Sequence, residues 1–331
     1  MPQNCPREAG AKRAETQGRP AGVAPDVRTR PFPYASVAAY ATIVLIWGTT
    51  WLAIKVSLTG LPPVFGAGVR FVVAGLLLYA IGIALRVDFR RDAPPLHLVA
   101  VLALTMCGLN YALTYTAETH LASGLVAVLF GTMPFFIFGF AHVMVGERAS
   151  VATLLGAALA LVGVATISLA GSVRGDVAYV VAAVAASALS GFGNVYLKRH
   201  SHAEPLATLP PVMLAGGAAM AVWGVAFERI DWHAATQAQS LLAVAYLAAG
   251  GSALAFYLNH WLLKRIDSGI IGLSALMVPV IAVAVGAFFG HERLGPRDLT
   301  GAALVIGGVW LALGRKSAPH VKRAAESHSP A

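Results

Sequence analysis

Residues 123–164 read SGLVAVLFGTMPFFIFGFAHVMVGERASVATLLGAALALVGV, and residues 268–309 read SGIIGLSALMVPVIAVAVGAFFGHERLGPRDLTGAALVIGGV. The two blocks align without a gap at an offset of 145. Twelve of the 42 positions are identical: Ser123/Ser268, Gly124/Gly269, Pro134/Pro279, Glu147/Glu292, Arg148/Arg293, Leu154/Leu299, Gly156/Gly301, Ala157/Ala302, Ala158/Ala303, Leu159/Leu304, Gly163/Gly308 and Val164/Val309. Apolar composition alone would match roughly a tenth of positions by chance. A charged pair, a proline and spaced glycines are not products of that bias. Gly48 and Lys55 also match Gly191 and Lys198, at an offset of 143. The chain therefore carries an internal repeat.

Each block holds two apolar runs joined by a charged turn, and the same pattern extends outward in both directions. Ten apolar runs lie at about 36–54, 64–85, 97–116, 121–145, 151–170, 177–197, 207–227, 239–260, 267–290 and 299–314. Each approaches the roughly 20 residues that cross a bilayer as a helix. The 331 residues are 57% apolar and only 12% charged, with a mean hydropathy of +0.71. A soluble domain is about one quarter charged, so the solvent for this surface is lipid. The runs lack the alternation of barrel strands, and an open sheet edge in lipid would leave backbone groups unpaired. Cys5 lies in a polar tail and Cys107 in an apolar run, which excludes a disulfide framework. The net charge of +9 sits at the ends of apolar runs and in the tails, not on one basic face, so no nucleic-acid partner is expected.

These features predict an all-α membrane protein of ten transmembrane helices. Residues 34–171 and 172–316 form two five-helix repeats between disordered cytoplasmic tails, 1–33 and 317–331. Residues 1–33 lack the apolar stretch of a signal peptide. Five is an odd number, so the second repeat must sit inverted relative to the first. Inverted repeats build many secondary transporters, with the solute site near the midplane between halves. Placing both termini in the cytoplasm puts 18 of the 24 Lys and Arg residues inside. Without the tails the split is 8 to 6, so the tails decide the orientation.

The string NYALTYTAETHLASGLVAVLFGTMPFFIFGFAHVMVGERAS at 110–150 resembles the EamA-type branch of the drug/metabolite transporter superfamily. So do WGTTWLAIK at 47–55 and GHERLGPRDLTGAALVIGGV at 290–309. The resemblance spans roughly residues 36–314. It implies ten helices, two inverted halves, a central cavity and movement of small metabolites across the inner membrane, often by export. It does not name the solute.

Polar groups in hydrocarbon are costly unless they pair or line water, so such residues face a bundle interior. Trp47, Thr50 and Trp51 of the first run, Asn110, Tyr111, Thr114 and Tyr115 of the third, Asn194 of the sixth, and Tyr257, Asn259 and His260 of the eighth are the candidate cavity residues. Thr114/Asn259 and Tyr115/His260 coincide at the offset of 145. Trp261 and Tyr196 read better as interfacial aromatics. Pro134 and Pro279 are expected mid-helix, kinking equivalent helices of the two halves. Gly156 and Gly163, repeated as Gly301 and Gly308, put small residues on one helix face. They are expected to pack the fifth and tenth helices at the periphery or in a homodimer contact, away from solute. Lys55 and Arg70 are expected to snorkel to the outer interface. The functional alternative is that one of them meets an anionic solute or an amino-acid carboxylate. Glu147–Arg148 and Glu292–Arg293 are expected to cap and anchor their helices.

None of the 15 acidic residues falls in the middle of a run, so no carboxylate relay for a coupling proton is indicated. His142 and His260 are the remaining candidates for that role. The sequence holds no GxxxxGK[ST], HExxH or CxxC, so no cofactor, zinc site or catalytic residue is expected. An alternative reading is an intramembrane serine protease using Ser190, in ALSG at 188–191, with His260 as base. The missing leading glycine weakens it.

Overall fold

The computed structural model describes residues 34–121, 123–168, 177–289 and 295–314. The expected tails, the loop at 172–176 and the Glu292–Arg293 pair lie outside the described residues. Among those described, all regular structure is helical. The elements are α1 Tyr34–Leu58, α2 Pro63–Ala84, α3 Leu96–Leu102, α4 Leu109–His120, α5 Ser123–Phe130, α6 Met133–Val145, α7 Val151–Ser168, α8 Val177–His200 and α9 Pro205–Phe227, followed by α10 Trp232–Ala235, α11 Ala238–Tyr246, α12 Ala255–Leu263, α13 Ser268–Gly272, α14 Ser274–Phe289 and α15 Pro296–Gly314. Seven helical stretches are long and apolar enough to cross a membrane: Tyr34–Leu58, Pro63–Ala84, Leu96–His120, Val128–Val145, Val177–His200, Pro205–Phe227 and Ala238–Leu263. Val151–Ile167, Ser268–Ile281 and Leu299–Leu313 are shorter apolar helices.

Two of these stretches are not plain α-helix. Ala103–Gly108 joins α3 to α4 as a π segment, and Leu247–Leu254 joins α11 to α12 in the same way. The offset of 145 maps the first segment inside the second. The wider ring of an i→i+5 bond displaces the helix face that follows it, and such segments cluster at functional sites.

The fourth and ninth runs were expected as single helices, and both are broken. Between α5 and α6 lies a turn at Gly131–Thr132, whose polar groups need partners in a lipid setting. The Thr132 hydroxyl donates to the Leu129 carbonyl at 2.6 Å, and the Ser187 hydroxyl of α8 donates to the Phe130 carbonyl at 3.3 Å. This turn corrects the expectation for Pro134. It lies in the first turn of α6, where its missing N–H has no intrahelical acceptor to lose. Pro279 does lie inside α14, where it deprives the Ala275 carbonyl of its i+4 donor.

Two close crossings organise the bundle. On α7, a Cβ at Gly156 would fall 2.5 Å from the Gly308 carbonyl oxygen, and one at Gly163 would fall 2.7 Å from that of Gly301. Because 156 meets 308 while 163 meets 301, α7 and α15 run antiparallel. The two glycine faces cover each other within one chain, so these glycines pack α7 against α15, and none of them lines the cavity described below. On α2, a Cβ at Gly68 would fall 2.4 Å from the Ala221 nitrogen of α9, while Gly224 abuts Phe65 and Gly75 abuts Leu214. This pair is antiparallel too. Elsewhere α1 packs on α11, α12 and α14, while α8 packs on α4 and α6.

Carboxylates tie the ends. Glu228, just after α9, accepts from the backbone N–H groups of Val64 and Phe65 at 3.0 and 2.7 Å, satisfying donors at the start of α2. Glu147, just after α6, accepts from the Ser268 N–H at 3.0 Å and thus does the same for α13.

Candidate functional site

A cavity of about 890 Å³, counted out to its open mouth, lies between the helices. It is walled by α1, α2, the stretch from the first π segment into α4, the break between α5 and α6, and by α8, α12, α13 and α14. Of the candidates, Trp47, Thr50, Trp51, Asn110, Tyr111, Thr114, Asn194 and Asn259 line this one space. Helical spacing aligns them: Trp47, Thr50, Trp51 and Ile54 form one stripe of α1, and Met106, Asn110 and Thr114 form another along the π segment and α4.

Three candidates lie elsewhere. Tyr115 is buried behind the wall, where its hydroxyl meets Arg70. Tyr257 is half-buried in the packing around the core. His260 is buried against Ser201, with its Nε2 3.1 Å from the Ser201 hydroxyl, which in turn lies 3.1 Å from that of Thr208. Ser190 lines the cavity and His260 does not, so the pairing needed for a serine nucleophile is not assembled.

The amides are partly satisfied by one another. Asn259 donates to the Asn194 side-chain oxygen at 2.8 Å, linking α12 to α8, and Asn194 donates to the Ser190 carbonyl at 2.9 Å. Asn110 reaches the Met106 carbonyl in the π segment at 3.4 Å, and the Thr114 hydroxyl donates to the Asn110 carbonyl at 2.8 Å. The Trp47 indole N–H and the Asn259 side-chain oxygen are buried without a protein partner.

Arg70 departs most from the expectation of snorkelling. Lys55 is exposed, but Arg70 is only 1% exposed and lines the cavity. Its Nε donates to the Ser252 hydroxyl in the second π segment at 2.7 Å, and its Nη1 donates to the Tyr115 hydroxyl at 3.2 Å. The guanidinium carbon stands 5.0 Å from the Tyr111 ring centre and 5.4 Å from that of Phe71, distances suited to cation–π attraction. Phe256 packs edge-on to Phe71 at 5.8 Å and to Trp47 at 6.2 Å, closing an aromatic collar. Gly251 makes room for this: a Cβ there would lie 2.8 Å from Thr50 Cγ2 and 3.1 Å from Arg70 Nη2.

The reading of the sequence also missed Met106, Phe130, Met133, Phe256, Ile271, Ala275 and Val278 as wall residues. They are ordinary apolar residues in apolar runs, and nothing local sets them apart. Pro279, proposed for its kink, lines the cavity as well. Glu118, which falls just beyond the third run, is drawn into α4 and buried. Among the described residues, no group of His, Cys, Asp and Glu is arranged to hold a metal ion.

Comparison with known proteins agrees with this architecture. The chain is 29% identical over 283 residues to the inner membrane transporter YedA of Escherichia coli strain K12, covering 83% of this chain and 86% of that one. It is 26% identical to the transporter YoaV of Bacillus subtilis strain 168, covering 82% and 94%. It is 27% identical to a probable amino-acid metabolite efflux pump of Escherichia coli strain K12, covering 81% and 91%. A solved crystal structure superposes with a TM-score of 0.75 at 22% identity, covering 85% of this chain and 97% of the other, which shows the fold. The description of the EamA-like transporter family matches twice, over residues 35–169 and 177–314, so the chain is a membrane transporter belonging to the EamA-like transporter family.

Proposed function

We propose that the chain is a secondary transporter that exports small metabolites across the bacterial inner membrane by alternating access. The observation that carries this reading is the cavity, whose walls come from helices of both repeats. The solutes in view are amino acids and related compounds, or drugs. A relative 27% identical in sequence bears the name of a probable amino-acid metabolite efflux pump, which favours the first class.

In this reading the protein has ten membrane helices in two inverted repeats, 34–171 and 172–316, with both termini in the cytoplasm. Support for inversion comes from the antiparallel crossings of α2 with α9 and of α7 with α15, which are equivalent helices of the two repeats. The remaining packing has the same exchange pattern, since α1 meets the eighth and ninth runs and α8 meets the third and fourth. The two halves would rock against each other about these crossings, exposing the cavity to each side in turn.

The test is flux in proteoliposomes across a panel of amino acids, nucleobases and drugs, with and without a pH gradient. Saturable movement of one class is the expected result. Failure of every solute to move, with folded protein verified, would overturn the reading. Dependence on the pH gradient would call for a proton carrier in a bundle whose mid-span positions hold no carboxylate.

A further inference from the structure

We propose that Arg70 is the solute-selecting residue of the cavity, and that it binds the carboxylate of a small organic acid carrying an apolar body. This rests on the reading of the cavity as the transport site. Arg70 is the sole charged residue among the described cavity-lining residues. Among the described residues, no carboxylate lies within ion-pair distance of it. Both of its named hydrogen-bond partners, Ser252 and Tyr115, are neutral hydroxyls. A buried guanidinium is strongly favoured to acquire an anionic partner, and its planar fork matches a carboxylate.

The bonds made to Arg70 position it and leave capacity. Ser252 takes Nε and Tyr115 takes Nη1, while Nη2 lies close against the Gly251 backbone, where a Cβ would come within 3.1 Å of it. Trp47, whose buried indole N–H has no protein partner, lines the same cavity. Around these groups the wall is aromatic and aliphatic, which suits an apolar solute body. A bare inorganic anion would leave that wall uncovered. A cationic or neutral amphiphile would leave Arg70 unpaired.

One carboxylate chemistry has two sources here, a zwitterionic amino acid and the corresponding 2-oxo acid. Quenching of intrinsic tryptophan fluorescence in the purified full chain reads binding to the collar that holds Trp47. The probes are L-phenylalanine and L-leucine, their amides, the matching 2-oxo acids and the matching decarboxylated amines. Acids of one or both kinds should bind roughly ten- to a hundredfold tighter than the amides and amines, the usual strength of a charge-assisted hydrogen bond. Preference for the amino acids over the 2-oxo acids, or the reverse, identifies the source. Arg70→Gln should bring the acid-to-amide ratio near one, and Arg70→Lys should restore part of it. If Arg70→Gln does not fold, Tyr115→Phe and Ser252→Ala keep the charge but loosen it, and each should lower the ratio severalfold. Equal binding of amides and acids, binding of no acid, or an unchanged ratio in Arg70→Gln or in both loosening variants would overturn the proposal. Flux distinguishes its failure from that of the transport reading. Acids that bind but never cross leave the site standing and remove transport. Solutes that cross without regard to a carboxylate do the opposite.

Discussion

The Lys198 ammonium on α8 lies 2.5 Å from the Glu147 carboxylate at the end of α6. The same ammonium donates to the Ile266 carbonyl at 2.6 Å, and the same carboxylate accepts from the Ser268 hydroxyl at 2.5 Å. Three segments that are distant in sequence are thus joined at one end of the bundle. The pair is about four-fifths shielded from solvent, so removing one partner strands the other. Glu147→Gln and Lys198→Met should each destabilise the protein by about 1–3 kcal/mol. The double variant should lose less than the sum, with a coupling of about 1 kcal/mol. Thermal unfolding in detergent measures this, and strict additivity would show that the pair contributes nothing.

The crossing of α7 and α15 predicts a contrast among glycines. Gly156→Ala and Gly308→Ala each push a methyl group into facing backbone at 2.5 Å, which should destabilise by about 1–3 kcal/mol. Gly139→Ala and Gly307→Ala meet nothing within 4 Å and should unfold at or above the wild-type temperature. Equal melting of all four would refute the crossing.

Pro279→Ala restores a donor for the Ala275 carbonyl inside α14, beside the cavity. It should lower the maximal transport rate severalfold while leaving the half-saturating concentration nearly unchanged. Pro134→Ala replaces a residue in the first turn of α6 and should alter both values less than twofold. Rate measurements in proteoliposomes give the answer, and a larger effect at Pro134 would reverse the assignment.

Trp47→Ala and Asn110→Ala remove cavity groups without touching the glycine crossings. Each should cut the ratio of transport rate to half-saturating concentration about tenfold, near the lower limit for losing a single good contact. Unfolding temperature should move little. Wild-type flux in both variants would remove them from the site.

Ser190→Ala distinguishes transport from proteolysis. Ser190 lines the cavity, yet His260 is held by Ser201. Flux should be reduced and not abolished, and incubation with a membrane-peptide substrate should give no cleavage in either the wild type or the variant.

The helices and their approximate limits were legible because lipid imposes length and apolarity on each run. The site was legible only where a polar residue stood out inside such a run, as at Asn110, Asn194 and Asn259. Arg70 was misjudged for a physical reason. Snorkelling treats a helix as isolated in lipid, but Arg70 is held by Ser252, which is 182 positions away. No local pattern announces that contact. The π segments were hidden because hydropathy does not register which carbonyl each N–H reaches. The break at Gly131–Thr132 was written in turn-forming residues, but the apolar run around them concealed it. Tyr115 and His260 show the limit of the repeat itself, since equivalent positions hold Arg70 in one half and Ser201 in the other.

That divergence has a directional consequence. Two identical halves would present the same groups to a molecule whichever way it lay. Here the charge in the described cavity wall comes from the first repeat alone, on Arg70, while the second contributes the amides of Asn194 and Asn259. Under the proposed alternating access, a solute with one acidic end would have a preferred heading within the protein and would keep it when the opening changes sides. It would enter and leave with the same end leading.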